Sequence, residues 1–133
     1  MPTATQLALK KHRQSKIHKN RSRALQGCPQ KKAQCIRVFI RKPKKPNSAQ
    51  RKLAKVQITK TKKKIFIYIP GQGHNLQPHS WVLIRGGRVR DMPGIKYKAI
   101  RGKFDFNIEQ ILFRTSRRSK YSIKKPPKKE NNK

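Results

Sequence analysis

Acidic side chains are scarce in this 133-residue sequence, which contains 4 Asp and Glu residues against 37 Lys and Arg. The acids stand far apart in the chain, at Asp91, Asp105, Glu109 and Glu130. They provide no pair of carboxylates for general acid and base catalysis, and His74 and His79 belong to no nucleophile–base arrangement or metal-ligand set. The sequence therefore predicts that the protein is not an enzyme.

Long apolar runs and nucleotide-binding loops are also missing. The longest apolar run has only the length of a strand, which disfavours both a membrane span and binding at a membrane surface. The glycine pairs at 71–73 and 86–87 are not followed by Gly-Lys-Ser/Thr, so they indicate tight turns rather than phosphate loops. We expect no membrane partner and no cofactor.

Cysteine is limited to Cys28 and Cys35, and the six residues between them match no standard zinc or redox spacing. This pattern favours free thiols, with Cys35 packed as a small hydrophobic residue at the start of a strand. A metal site shared with another chain is the alternative. The sequence predicts no metal.

Positive charge dominates what is present, because the formal net charge is +33 at pH 7. Self-repulsion on this scale destabilises a compact chain unless a polyanion neutralises it. The densest intracellular polyanion is nucleic acid, so the composition predicts a nucleic-acid-binding protein.

The charge and the apolar residues are distributed unevenly along the chain. Residues 1–34 hold nine Lys and Arg and no acid, and residues 114–133 hold nine with one acid, whereas apolar residues concentrate between them. We predict a basic N-terminal extension with a short helix at 1–34, a core at 35–103 and a basic C-terminal extension at 104–133. Residues 1–25 and 114–133 have too little apolar surface to fold alone and are expected to order on rRNA.

Apolar residues alternate with polar ones in five short segments, as in half-buried strands. In each of the first three segments one set of apolar residues is predicted to share a face: Ile36, Val38 and Ile40, then Ala54, Val56 and Ile58, then Ile65, Ile67 and Ile69. Segments 81–84 and 95–100 supply the fourth and fifth strands, and the second and third are expected to form a hairpin. The pattern predicts an all-β fold, a five-stranded oligonucleotide-binding (OB) barrel, with a twisted meander as the alternative.

Aromatic residues on these strands have two possible roles. Phe66, Tyr68 and Trp81 could be stacking platforms for bases, although aromatic residues at strand spacing more often belong to the core.

A charged segment joins the first two strands and carries almost nothing that could be buried. Its candidate binding residues are Lys44, Lys45, Pro46, Asn47, Ser48, Arg51 and Lys52. Prolines restrict the backbone, and lysines and arginines at the two bases would bind phosphate while the small polar tip contacts a ribose or base edge. A solvated hairpin turn is the alternative interpretation.

Several motifs resemble one family, small-subunit ribosomal protein twelve, in its bacterial and organellar form. They are Cys28-Pro29-Gln30-Lys31, Pro43-Lys44-Lys45-Pro46-Asn47-Ser48-Ala49, Gly73-His74-Asn75-Leu76-Gln77, Leu83-Ile84-Arg85-Gly86-Gly87-Arg88-Val89 and Asp91-Met92-Pro93-Gly94. The resemblance runs in order from Thr5 to Tyr121. It implies an OB barrel at the decoding centre of the small ribosomal subunit, with Pro46, Asn47 and Ser48 supporting codon–anticodon inspection and translational accuracy.

The same resemblance implies further contacts. A second decoding-side loop would use Arg85, Arg88, Arg90, Asp91, Pro93 and Gly94, with Asp91 a possible site of modification. The rRNA-binding arm would use Lys10, Lys11, Arg13, Lys16, Lys19, Arg21 and Arg23. Expected partners are small-subunit rRNA, the mRNA–tRNA minihelix in the A site and neighbouring ribosomal proteins, with no homo-oligomer.

The Lys, Ile and Asn bias of the sequence favours a mitochondrial copy, with a plastid or bacterial origin as the alternative. A free RNA chaperone or generic single-strand-binding barrel is the alternative function. Such a protein would share the charge and the fold but would have no use for a rigid Pro-Asn-Ser tip.

Overall fold

The computed structural model describes residues 1–9, 15–106 and 114–128. Five strands form the framework: β1 (Gln30–Arg41), β2 (Arg51–Ile58), β3 (Lys64–Tyr68), β4 (Trp81–Gly86) and β5 (Tyr97–Ile100). A short helix, α1 (Ala4–Ala8), precedes them, and 3₁₀ turns lie at Arg23–Leu25 and Arg118–Tyr121. The predicted all-β class is confirmed, with β4 two residues longer and β5 two residues shorter than expected.

The strands close into a barrel in the order β1-β2-β3-β5-β4. All neighbouring pairs are antiparallel except β3 and β5, which run parallel with Tyr68 opposite Lys98. The predicted β2–β3 hairpin and five-stranded barrel are confirmed. Closure gives every strand two neighbours and so limits exposed strand edges in a chain too small to cover them with helices.

The barrel interior holds the main hydrophobic core. Its fully buried members are small or β-branched residues that suit the narrow interior, together with a few larger ones. They include Ala33, Cys35, Ala54, Val56, Ile58, Ile67, Val82, Ile84, Ala99 and Phe106. Cys35 therefore packs as predicted, and its burial raises the pKa of the thiol.

The predicted common face of Ile36, Val38 and Ile40 is wrong for Ile36, whereas Ile40 lies on the same face as Val38. A β-bulge between Cys35 and Arg37 shifts the register with β2, so Ala33 and Cys35 point inward before the bulge and Val38 packs against the core after it. Ile36 at the bulge and Ile40 near the strand end are exposed. The extra residue at the bulge moves the inward-facing side chains from odd-numbered to even-numbered positions. A sequence pattern of strict alternation does not reveal such a shift.

Packing extends beyond the predicted core boundaries. Strand β1 begins five residues before position 35, Leu25 is buried in the main core, and the Tyr97 hydroxyl accepts a hydrogen bond from the Ala24 amide at 3.1 Å. Phe106, beyond position 103, is buried as well. The functional division into arms and core stays a prediction. In the N-terminal arm, Thr3 and Gln6 form a capping box at the start of α1.

A buried arginine holds the turn that follows β3. Arg101 donates from Nε to the Pro70 carbonyl at 2.6 Å and from Nη2 to the carbonyls of Gln72 and Gly73. Gly71 has a φ of +85°, and a Cβ there would lie 2.6 Å from Nε of Arg101. Glycine is therefore required on both conformational and steric grounds.

Candidate nucleic-acid interface

The loop between β1 and β2 and the loop between β4 and β5 lie together at one end of the barrel. The first spans 42–50 and the second spans 87–96. In five-stranded OB barrels these two connections are the loops that bind oligonucleotides. The fold therefore places both predicted decoding-side loops where this barrel type presents its ligand.

Asp91 joins the two loops. The Lys44 amide donates to the Asp91 carbonyl at 2.9 Å, and the Asp91 carboxylate accepts a hydrogen bond from Nη2 of Arg51 at 2.9 Å in an ion pair. Both side chains of the pair remain 28–29% exposed, so solvent screens part of the attraction. One backbone contact and one side-chain contact thus converge on the same residue.

A second, smaller core fixes the 87–96 loop on the outer face of the barrel. Leu53, Met92 and Ile95 are buried there, and Phe39, Tyr68 and Val89 pack against them partly exposed. Leu53 projects from β2 on the side opposite the barrel interior, and it is nevertheless fully buried because the loop covers it. Apolar burial therefore attaches the loop to the sheet.

Backbone hydrogen bonds also organise the 87–96 loop. The Val89 amide donates to the Ile95 carbonyl at 3.1 Å, and the Ile95 amide donates to the Met92 carbonyl at 3.2 Å. Gly94 has a φ of +86°, the left-handed conformation that favours glycine. The predicted residues Pro93 and Gly94 therefore belong to a folded turn.

The tip of the 42–50 loop faces solvent. Residues 44–50 are all exposed, and the Asn47 amide donates to the Lys44 carbonyl at 3.2 Å to close the turn. Pro46, Asn47 and Ser48 are therefore held by a turn and available to a partner.

Positive charge surrounds this end of the barrel. A cavity of about 520 Å³ between the loops is lined by Lys44, Arg88, Arg90 and Lys96, together with apolar atoms of the 89–95 turn. Asp91 neutralises only part of this charge. A phosphate backbone would neutralise the remainder, because its contacts position a protein on nucleic acid.

Two of the predicted residues point elsewhere. Arg85 lines a different cavity, of about 490 Å³, with Lys98 and Lys120. Burial, followed by the charges of Arg85 and Lys120, lowers the pKa of Lys98. Lys52 lies close enough to His74 for its charge to help lower the pKa of that imidazole, whereas its neighbour Arg51 faces Asp91.

The arm meets the second loop. Lys19, Arg21 and Arg23 line a cavity of about 870 Å³ together with Arg88 and Lys96. Lys16 is exposed, and Lys10, Lys11 and Arg13 lie outside the described residues. Sequence reasoning missed Lys96, Lys98 and Lys120, although Lys96 and Lys98 alternate with buried Ile95 and Tyr97 in a pattern that predicts outward-facing cations.

The two cysteines do not form a disulfide with each other. Cys28 is exposed and Cys35 is buried, and both are free thiols. Residues 1–9, 15–106 and 114–128 contain no cluster of three His, Cys, Asp or Glu side chains that could hold a metal ion. Over the same residues, no helix has the length and apolar character needed to span a membrane.

Comparison with known proteins identifies relatives of the whole chain. The family described as ribosomal protein S12/S23 matches residues 18–129. The chain is 53% identical over 121 residues to the small ribosomal subunit protein uS12m of Acanthamoeba castellanii, and these residues cover 91% of this chain and 94% of the relative. It is 56% identical over 114 residues to uS12m of Bigelowiella natans, and these residues cover 86% of this chain and 88% of the relative.

These matches confirm the family that the motifs predicted, and the mitochondrial relatives confirm the predicted location. Since the family match spans most of the sequence and both relatives share more than half of the aligned residues, the chain belongs to the ribosomal protein S12/S23 family and is a mitochondrial small-subunit ribosomal protein, not an enzyme.

Proposed function

We propose that this protein supports codon–anticodon inspection at the decoding centre of the mitochondrial small ribosomal subunit. Its family membership makes it a structural component that binds small-subunit rRNA and neighbouring ribosomal proteins. The finer role rests on one observation, the convergence of the 42–50 and 87–96 loops on Asp91 through Lys44 and Arg51.

The convergence matters because a decoding contact requires a stationary surface. The tip at Pro46, Asn47 and Ser48 is exposed, while its base is tied to a loop that the second core holds against the sheet. A tip that cannot move away binds one rRNA conformation better than another, and a difference in affinity for two states shifts their populations. The protein would contribute to accuracy in this way without any chemical step.

The other predicted residues are mostly cations, and those of the loops and those of the arm have different proposed roles. Lys44, Lys45, Arg88 and Arg90 would hold rRNA phosphates around the tip, and the arm would bind rRNA independently of the codon. Phosphate contacts of this kind set register and affinity but do not carry sequence information. The mRNA–tRNA minihelix would therefore be sensed through the rRNA bases beside the tip, and Asp91 remains the proposed site of modification.

A free RNA chaperone is the competing function. It would bind through phosphates alone, and it would gain nothing from an ordered polar tip supported by a second core. The built support of the 87–96 loop favours the ribosomal decoding role.

The test compares the loop with the arm. Ser48→Ala removes one exposed hydroxyl, and a hydrogen bond of about 0.5–1.5 kcal/mol corresponds to up to about a tenfold change in an equilibrium. We expect an altered ratio of near-cognate to cognate tRNA selection with normal incorporation into the small subunit. Ser116→Ala, at an exposed serine outside both loops, is the matched control and should change neither quantity.

Neutralising Lys10, Lys11, Arg13 and Lys16 together should have the opposite effect. Each lost phosphate contact weakens rRNA binding, so subunit content should fall while assembled subunits decode normally. Both sets are assayed on purified subunits for protein content and misreading. The proposal is wrong if Ser48→Ala mainly blocks incorporation, or if the arm variant mainly changes misreading in complete subunits.

A further inference from the structure

The outer face of the sheet continues below the second core as a row of side chains across three strands. The register places Arg37 of β1 opposite Lys55 of β2, and Lys55 opposite Phe66 of β3. Phe39 lies two residues along β1 on the same face. Arg37, Lys55 and Phe66 belong neither to the decoding-side loops nor to the barrel interior, whereas Phe39 also packs against the second core.

Two aromatic rings on this face form a pair. The ring centroids of Phe39 and Phe66 lie 5.8 Å apart, and the planes meet at 88°, an edge-to-face arrangement. Phe39 also packs against the second core, whereas Phe66 remains 44% exposed. Since Phe39 and the sheet backbone fix the position of Phe66, the exposed part of that ring is a rigid apolar surface.

Cations flank both rings. The guanidinium carbon of Arg37 lies 5.4 Å from the Phe39 centroid, and Nζ of Lys55 lies 5.8 Å from the Phe66 centroid. Lys64, two residues before Phe66 on the same face, adds a third cation. The strands β1, β2 and β3 contain no acidic residue, so the face has no charge that would attract a basic partner.

An exposed aromatic ring flanked by cations is suited to binding single-stranded nucleic acid. Unpaired bases stack on exposed aromatic rings irrespective of sequence, while flanking lysines and arginines bind the phosphates on either side. The outer face of β2 and β3 is also a surface on which OB barrels bind oligonucleotides. We propose that Phe66, supported by Phe39, is a stacking platform for an unpaired RNA base, and that Arg37 and Lys55 bind the adjacent phosphates.

The proposal goes beyond the decoding role, because the platform is a separate surface that needs neither the Pro-Asn-Ser tip nor Asp91. It assigns one kind of RNA to the face, a single-stranded loop, bulge or end with a base free to leave its own stack. Double-stranded RNA would not satisfy it, since its bases are already stacked.

The experiment measures binding of an oligoadenylate of about 12 nucleotides, within the site sizes of single OB barrels, to the full-length chain at raised salt. Raised salt weakens the contribution of the dispersed phosphate contacts of the +33 chain. The variants are Phe66→Ala, Phe66→Leu and Phe66→Tyr. Phe104→Leu is the matched control, because Phe104 is another exposed phenylalanine, near Trp81 and Lys32 rather than on this face.

We expect Phe66→Ala and Phe66→Leu to weaken binding roughly 5-fold to 150-fold, the range that one stacked base provides. Phe66→Tyr and Phe104→Leu should bind like the unchanged chain. Leucine keeps apolar area but lacks a π face, so the Leu variant separates stacking from general apolar contact. Circular dichroism of each variant checks that the barrel is intact, and the Phe66→Trp fluorescence measurement in a Trp81→Phe background carries the test if the smaller side chains disturb folding.

A direct reading of stacking is available because the chain has a single tryptophan, Trp81. In a Trp81→Phe background, Phe66→Trp places the only indole on the platform, and a stacked adenine should quench its fluorescence. The proposal is overturned if no quenching accompanies binding, if all Phe66 variants bind equally, or if Phe104→Leu weakens binding as much as Phe66→Leu. It is also overturned if Phe66→Leu binds normally while Phe66→Ala does not, which would indicate a general apolar contact with the RNA instead of stacking.

Discussion

Replacing Leu53 with alanine should release the 87–96 loop before it unfolds the barrel. Leu53 is fully buried, but it lies outside the barrel, between the sheet and Met92 and Ile95 of the loop. Truncating a buried leucine to alanine costs about 2–5 kcal/mol, and the value is lower where the surroundings can collapse. Since a surface loop can settle into the space, we expect about 2 kcal/mol, mostly as easier opening of the loop.

Amide hydrogen exchange measures this opening directly. The Val89 and Ile95 amides bond to carbonyls within the loop, so they become exchangeable when the loop detaches. A loss of about 2 kcal/mol in the opening free energy corresponds to roughly 30-fold faster exchange at these amides. Amides in the middle of β2 and β4 should be much less affected.

Ile67→Ala is the matched control, because Ile67 is equally buried but lies in the barrel interior. It should accelerate exchange of loop and strand amides together, since its loss destabilises the common core. The reasoning is refuted if Leu53→Ala leaves the Val89 and Ile95 amides protected, or if the two variants give the same pattern of exchange.

Two further changes test the electrostatics of the structure. Asp91→Asn removes the ion pair with Arg51 but keeps the backbone hydrogen bond to Lys44. It should raise misreading in assembled subunits and lower the stability of the free chain, measured by urea denaturation, by about 1 kcal/mol or less. Unchanged misreading would contradict the idea that the ion pair holds the tip. For His74, burial first, and then Lys52 and Arg101, lower the pKa of the imidazole, whose Nδ1 accepts a hydrogen bond from the Leu76 amide. Because the folded-state pKa lies below the ordinary value of about 6.5, the stabilisation is complete above that pH and is lost as the pH falls through the folded-state pKa. Urea denaturation midpoints of the free chain should therefore fall on acidification below about pH 6.5, and His74→Gln should flatten that dependence; an equally steep profile in the variant would exclude His74 as the cause.

The sequence predicts the strands well where every second side chain is buried in the barrel interior, as Val56 and Ile58 of β2 are. The bulge at Ile36 was not predictable, because the inserted residue is as apolar as its neighbours and only the partner strand reveals the change of register. The second core did leave a signal. Leu53 and Ala54 are adjacent apolar residues, which breaks the alternation expected of a strand with one solvent-exposed face, and both are buried in the structure.

The candidate site was predictable in its parts but not in its assembly. Prolines, lysines and small polar residues indicated the 42–50 loop, and the Asp-Met-Pro-Gly turn indicated the second loop. Their connection through Arg51 and Asp91 joins residues 40 positions apart, and no local pattern encodes such a contact. The family resemblance assigns Arg85 to the second loop, whereas the structure places Arg85 in a cavity with Lys98 and Lys120.

The strand order also determines how the chain would fail if β5 were lost. Strand β5 lies between β3 and β4, so the strand that is last in sequence closes the barrel from both sides. A chain that ended before Tyr97 would leave the β4 edge from Leu83 to Gly86 unpaired and would remove the β5 partner of β3 at Tyr68. Exposed strand edges template pairing between molecules. Loss of β5 would therefore convert the closed barrel into an open sheet with an exposed edge, and self-association would accompany the loss of stability.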